Sequence, residues 1–266
     1  MATPTRPVLL SIEGGIGVGK STVLERLQRD DELASREDVV FIREPVDEWE
    51  RAGILHDYYH GDLSAGVFQL TVMCTRYRLL EQALRCSRVR VIISERSLES
   101  DRSVFAKLLV QAPAESRAYE LAHTSLSETL SARCRHRAIH IDLPPDEAVQ
   151  RVRSRGRAGE ARPSLCTHMR TPLLAPRFAR LPASPVFWTD GQEDIHVSFL
   201  REVHAAYADW LVDLPEPAVC VDAQKPIDAV VSDVRAAVCA ELAKLRTARS
   251  ECAPAQDELP APVDKY

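Results

Sequence analysis

The stretch VLLSIEGGIGVGKST, residues 8–22, decides the fold. An apolar run that breaks into glycines and ends on a lysine and two hydroxyls is the pattern of a strand turning through a phosphate-holding loop into a helix. Gly14, four further residues, then Gly19, Lys20 and Ser21 fit GxxxxGK[ST], with Thr22 next in the helix. The logic is geometric. Gly14, Gly15, Gly17 and Gly19, with Ile16 and Val18 between them, let successive backbone N–H groups turn inward around phosphate oxygens. The helix that follows aims the positive end of its dipole at the same anion. Lys20 adds a point charge, and the Ser21 hydroxyl suits Mg²⁺. This loop predicts nucleotide binding and is silent on the reaction.

Working outward, four more β-branched runs follow: VVFI (39–42), VRVIIS (89–94), AIHIDL (138–143) and AVCVDA (218–223). They alternate with stretches of helical spacing such as VFQLTVMCTRYRLLEQAL and ESRAYELAHTSLSETLSARC. Apolar strands alternating with helices predict one α/β domain, residues 1–249, with a five-stranded parallel sheet covered on both faces. Pro226 stands at a plausible first helical position for the last helix. Two segments break the pattern. Residues 161–192 carry five prolines and four arginines and read as an irregular insertion. Residues 250–266 read as a flexible, proline-rich tail.

The 266 residues, 45% hydrophobic, suffice for one substantial core. No run of about 18 apolar residues suggests a membrane span. A net charge of −5 argues against general nucleic-acid binding. Only five lysines occur in the chain, so Lys20 was not drawn from a common pool. Seven cysteines without a CxxC pair suggest reduced thiols and a cytoplasmic setting, and the phosphate loop starts too early to leave room for a presequence. The histidines offer no convincing metal-ligand spacing.

Two further motifs bear on the reaction. REPVDEW (43–49) puts Glu44 at the carboxyl end of the second strand, and SERSLESDR (94–102) puts Glu95 and Arg96 at that end of the third. In open α/β sheets ligands bind at those strand ends. Two carboxylates and a cation converging on bound phosphates are what phosphoryl transfer needs: an orienting base, Mg²⁺ ligands and a counter-charge. No guanine-reading NKxD-like motif is present. In VFQLTVMCTRYR, Gln69 and Arg76 lie two helical turns apart and share a face.

SIEGGIGVGKST, EPVDEW, FQLTVMCTR and ERSLESDRSVFAKLL resemble the corresponding segments of the deoxynucleoside kinases, the deoxycytidine and deoxyguanosine kinase family. RVRSRGR (151–157) resembles that family's arginine-rich lid, and FLREVHAAYADWL (199–211) the helix after it. The resemblance runs in order from about residue 8 to 223, interrupted at 161–192. It implies a P-loop kinase fold, ATP as donor with Mg²⁺, a deoxynucleoside acceptor and a homodimer. By the same resemblance Glu44 takes the proton of the 5′-hydroxyl, Arg96 lies beside it, and Ser21 and Glu95 hold Mg²⁺, directly or through water. Arg151, Arg155 and Arg157 close over the ATP phosphates. Gln69 pairs with the base edge, Arg76 and Asp101 read the base further out, Trp49 and Phe105 wall it, and Tyr58 (or its neighbour Tyr59) binds the 3′-hydroxyl. The Arg76–Asp101 pair implies deoxycytidine or purine deoxynucleosides over thymidine. Where the family has adjacent glutamates after RGR, this chain keeps only Glu160. Glu160 or Glu193 closes on the sugar, and spacing from Arg157 favours Glu160. Two other readings stand open: a nucleoside monophosphate kinase, and a non-catalytic binding subunit. The intact Lys20, Ser21, Glu44, Glu95 and Arg96 count against the second.

Overall fold

The computed structural model describes residues 6–155, 186–189, 192–195 and 197–251. The sheet comprises β1 (Val8–Glu13), β2 (Val39–Ile42), β3 (Val91–Glu95), β4 (Arg135–Asp142) and β7 (Val219–Asp222). Its strands are all parallel, in the order β2-β3-β1-β4-β7. That is the expected five-stranded parallel sheet. Helices α1 (Lys20–Gln28) and α2 (Asp31–Ala34) connect β1 to β2. Then come α3 (Val46–Arg51), α4 (Ile54–His60) and the long α5 (Ala65–Leu84). After β3 the chain runs through α6 (Leu98–Ser100), a π-helical segment (Asp101–Ala106) and α7 (Lys107–Leu109) into α8 (Pro113–Arg133). Helices α9 (Pro145–Arg155), α10 (Val197–Val212) and α11 (Ile227–Glu251) complete the layers.

The sheet is buried on both faces, as continuous apolar strands require. Along β1, Val8, Leu10 and Ile12 pack with Val23, Leu24 and Leu27 of α1 and with Val230, Val234 and Val238 of α11. The intervening Leu9 joins Ile92, Met73, Leu80 and Tyr119 on the opposite face. One strand therefore feeds two cores by simple alternation.

Strand bounds differ from the sequence reading by up to three residues, most at β4, which starts at Arg135 rather than 138. Pro226 precedes the last helix rather than entering it, and its carbonyl accepts the amides of Ala229 (2.9 Å) and Val230 (3.1 Å). The segment 161–192 is not irregular throughout. An antiparallel pair, β5 (Val186–Thr189) with β6 (Gln192–Ile195), occupies its end, in register Val186↔Ile195 to Thr189↔Gln192. Asp190-Gly191 between these strands is a hairpin signal that the proline count outweighed. Residues 161–185 and the tail beyond 251 lie outside the described residues.

Candidate active site

The strand ends of β1, β2 and β3 open onto one cleft of about 970 Å³, continuous from Ile16, Lys20 and Ser21 to Tyr58, Phe68 and Gln69. Glu44, Glu95, Arg96, Asp101 and Phe105 line it in between.

At one end the phosphate loop is fixed by its own backbone. Gly14 (φ +140°) passes so close to the Ile141 carbonyl that a Cβ would sit 2.4 Å from its oxygen. Gly17 (φ +82°) would place one 2.7 Å from Val152 Cγ2 and 2.8 Å from the Ala148 carbonyl oxygen. Only glycine tolerates both the left-handed backbone and the close approach. Lys20 is buried and donates to the carbonyls of Gly14 (3.1 Å) and Gly15 (2.6 Å). Its amine is lowered from 10.5 to about 7, chiefly by burial, then by the charge of Arg96. The Ser21 hydroxyl donates to Glu95 Oε1 at 2.7 Å. A hydroxyl and a carboxylate side by side next to a phosphate loop form a hard-oxygen donor set that suits Mg²⁺.

The middle of the cleft is a charge cluster. Glu44 follows β2 and keeps a side chain 20% exposed. Its Oε1 accepts from Arg76 Nη2 at 2.9 Å and lies 3.6 Å from Arg96 Nε. Burial pushes the Glu44 carboxyl upward, but Arg96, Arg76 and Lys20 outweigh it and hold it below the usual carboxylate range. Arg96 follows β3 directly, in the left-handed region at φ +66°. Its Nη1 donates to the Gly14 carbonyl (3.0 Å) and to the Tyr207 hydroxyl (2.6 Å), and its guanidinium covers the Phe105 ring at 4.3 Å.

The far wall comes from α3, α4, α5 and the π-helical segment. Ser64 caps α5 by accepting from the Val67 amide, and the helix buries Phe68, Gln69, Val72, Met73, Arg76 and Leu80 on one side. Gln69 and Arg76 do share that face. Gln69 is 3% exposed, lines the cleft, and its Oε1 has no partner among the described residues. Arg76 is fully buried and lies behind the wall. It donates to Asp101 from Nε (2.6 Å) and Nη2 (3.2 Å), to Glu44, and to the Glu95 carbonyl. Burial alone would lower it, but Asp101 and Glu44 hold it above the ordinary arginine range. Asp101 itself reaches the cleft. Trp49 donates to Thr75 Oγ1 (3.1 Å) and meets Phe68 edge-on. Tyr58 stacks on Phe68 with ring centroids 4.2 Å apart, and Tyr59 also lines the cleft.

Of the arginines expected to form a lid, Arg151 lines the cleft and is tied down, donating to Ala223 O (2.8 Å) and Val18 O (3.4 Å). The Arg155 side chain, Arg157, Glu160 and the Glu193 side chain lie outside the described residues. Sequence reasoning passed over Phe68, Glu13 and Tyr207. Glu13 was legible as an acid ending an otherwise apolar strand. Tyr207 was legible as a hydroxyl within the buried stripe Val203, Ala206, Tyr207, Trp210 of α10.

The sequence matches the family model for deoxynucleoside kinase over residues 10–165, more than half the chain. Two viral proteins, both with the word kinase in their names, are similar to it. Protein 029R of Invertebrate iridescent virus 3 is 28% identical over 157 residues, 57% of this chain and 72% of its own. Protein 143R of Invertebrate iridescent virus 6 is 24% identical over 237 residues, 86% of this chain and 96% of its own. A P-loop helix and strand-end carboxylates on a parallel sheet, carried by a sequence with that match, lead to one conclusion: this chain belongs to the deoxynucleoside kinase family, nucleotide-binding phosphotransferases that use ATP and act on nucleosides.

Proposed function

We propose that this protein transfers the γ-phosphoryl group of ATP to the 5′-hydroxyl of a deoxynucleoside, with deoxycytidine or purine deoxynucleosides favoured over thymidine. One observation carries the reading. A single cleft has a buried lysine at its phosphate end and, at its other end, a buried glutamine amide whose oxygen has no partner among the described residues. An orphaned buried acceptor is costly unless a ligand donor meets it, and a nucleobase edge supplies such a donor.

In this reading Gln69 fixes the base, Trp49, Phe68 and Phe105 wall it, and Tyr58 meets the sugar. Asp101 lines the cleft between the phosphate loop and the base pocket. Arg76 contributes indirectly, by fixing the Asp101 and Glu44 carboxylates from behind, which differs from direct reading of the base. Glu44 accepts the hydrogen bond of the 5′-hydroxyl. Held below the ordinary carboxylate range, it is ionised at neutral pH and acts as an orienting acceptor rather than a strong base. That suffices for a loose phosphoryl-transfer transition state, in which the nucleophile's proton leaves late. Arg96 and Lys20 offset the charge on the transferring group. Ser21 and Glu95 are the residues that would hold Mg²⁺, and when bound the ion neutralises phosphate charge. Arg151 borders the phosphate end, and the lid role of Arg155 and Arg157, sugar closure by Glu160, and a homodimeric assembly belong to the same reading.

The test uses purified protein with γ-labelled ATP and Mg²⁺ against the four deoxynucleosides, dCMP and dTMP, for wild type and Glu44→Gln. Label on deoxycytidine or the purines, lost in Glu44→Gln, is the expected result. Label mainly on thymidine would keep the kinase and overturn the pocket argument. Label on the monophosphates alone, or none, would overturn the reading.

A further inference from the structure

Glu13 is fully buried at the end of β1, immediately before the phosphate loop. Among the described residues it has no ion-pair partner within 4 Å. Its carboxylate instead accepts from two hydroxyls, Ser97 Oγ at 2.7 Å and Tyr207 at 3.1 Å. A buried carboxylate without a directly bonded cation is destabilising by itself, so something nearby must draw on its charge. The Tyr207 hydroxyl supplies the connection. It donates to Glu13 and accepts from Arg96 Nη1 at 2.6 Å, forming the chain Arg96–Tyr207–Glu13–Ser97. Burial keeps the Tyr207 phenol protonated, which preserves the direction of that chain.

Arg96 needs such an anchor. It holds a left-handed backbone, φ +66°, which is strained for a non-glycine residue and persists only where surroundings fix it. Tyr207 is itself locked by rings on three sides: Phe105 at 6.4 Å, Trp210 at 5.9 Å and His140 at 5.3 Å between centroids. It sits on α10, whose Phe199 also borders the cleft.

We propose that Tyr207 and Glu13 are positioning residues that hold the Arg96 guanidinium at the reacting end of the cleft. This rests on reading Arg96 as the cation beside the transferring phosphoryl group. Neither residue lines the cleft itself, so both act on turnover through Arg96 rather than on substrate affinity.

The experiment is a kinetic cycle of wild type, Tyr207→Phe, Glu13→Gln, Arg96→Met and the Tyr207→Phe/Arg96→Met double variant, using the acceptor selected above. Tyr207→Phe removes one hydroxyl and keeps the ring packing, and melting curves confirm that each variant folds. A misplaced reacting group costs on the order of tenfold to a hundredfold, so kcat in Tyr207→Phe and Glu13→Gln is expected to fall by that much, with KM for both substrates within about threefold. The double variant is expected to be no slower than Arg96→Met. A folded Tyr207→Phe that keeps wild-type kcat while Arg96→Met loses it overturns the inference alone. So does full additivity in the double variant, which would place the hydroxyl's effect elsewhere. Unchanged turnover in Arg96→Met overturns the reading of Arg96 instead. If Tyr207→Phe does not fold, Glu13→Gln decides: it removes the buried charge at the end of the chain that holds Arg96, and a folded Glu13→Gln with wild-type kcat overturns the inference.

Discussion

Lys20 and Arg76 are both buried cations on opposite sides of one cleft, and they are treated differently. Arg76 meets Asp101 twice, Glu44 once and a carbonyl, so its charge is matched within the protein. Among the described residues Lys20 donates hydrogen bonds only to the carbonyls of Gly14 and Gly15; Glu95, Glu44 and Glu13 act on it through charge without bonding it, and its amine is held at about 7. A cation matched by carboxylates is structural: it fixes side chains around it. One bonded only to carbonyls is under-compensated, and that deficit is available to an incoming anion. Around Arg76 the charge balance is therefore closed within the protein, whereas at Lys20 it stays open.

The contrast breaks most visibly at Lys20. Replacing Lys20 by Met should reduce turnover by about a thousandfold, through loss of a cation at the developing charge, while the melting temperature holds or rises because an under-compensated charge leaves the interior. Steady-state kinetics beside thermal melting would check both halves, and a clear drop in melting temperature would contradict the asymmetry. Asp101→Ala should behave oppositely. It strips Arg76 of its bidentate partner and is expected to cost about 3–5 kcal/mol of stability in denaturant unfolding, Glu44 retaining part of the charge balance. Gln69→Ala should leave folding nearly untouched and raise KM for the nucleoside roughly tenfold, the worth of one buried polar contact, read from initial rates.

The smallest effect is a proton. Lys20 is lowered from 10.5 to about 7, so folding disfavours its protonated form. Ligand-free stability should therefore rise with pH between about 7 and 10.5, the reverse of a salt-bridged lysine. A triphosphate favours the charged amine, so its binding should take up a proton above pH 7, and affinity should fall by at most about tenfold per pH unit. Calorimetry at pH 8 in two buffers of different ionisation enthalpy would measure that uptake. Equal apparent enthalpies would show that Lys20 is already charged.

How much of this could be read in advance follows the same divide. The phosphate loop is a local object: its glycines and Lys20 all fall within residues 14–20, and backbone geometry requires the glycines. The strands were legible because their short β-branched runs are mostly apolar and stand between stretches of helical spacing. The hairpin at 186–195 was missed because proline count was weighed above the Asp190-Gly191 signal. Gln69 and Arg76 were placed on one face by helical periodicity, but periodicity does not say which of the two reaches the cleft. That was settled by Asp101, brought 25 residues along the chain to Arg76 by the π-helical segment. The Glu13–Tyr207–Arg96 chain joins residues 194 positions apart and depends on α10 packing across β1 and β4.

The strands, the phosphate loop and the carboxylates at the strand ends are written in short-range pattern, because each is set by neighbours within a dozen residues. Which charges are compensated and which are left for a ligand depends on long-range packing. Compensation is a matter of distances of about 3 Å between side chains that the sequence keeps far apart.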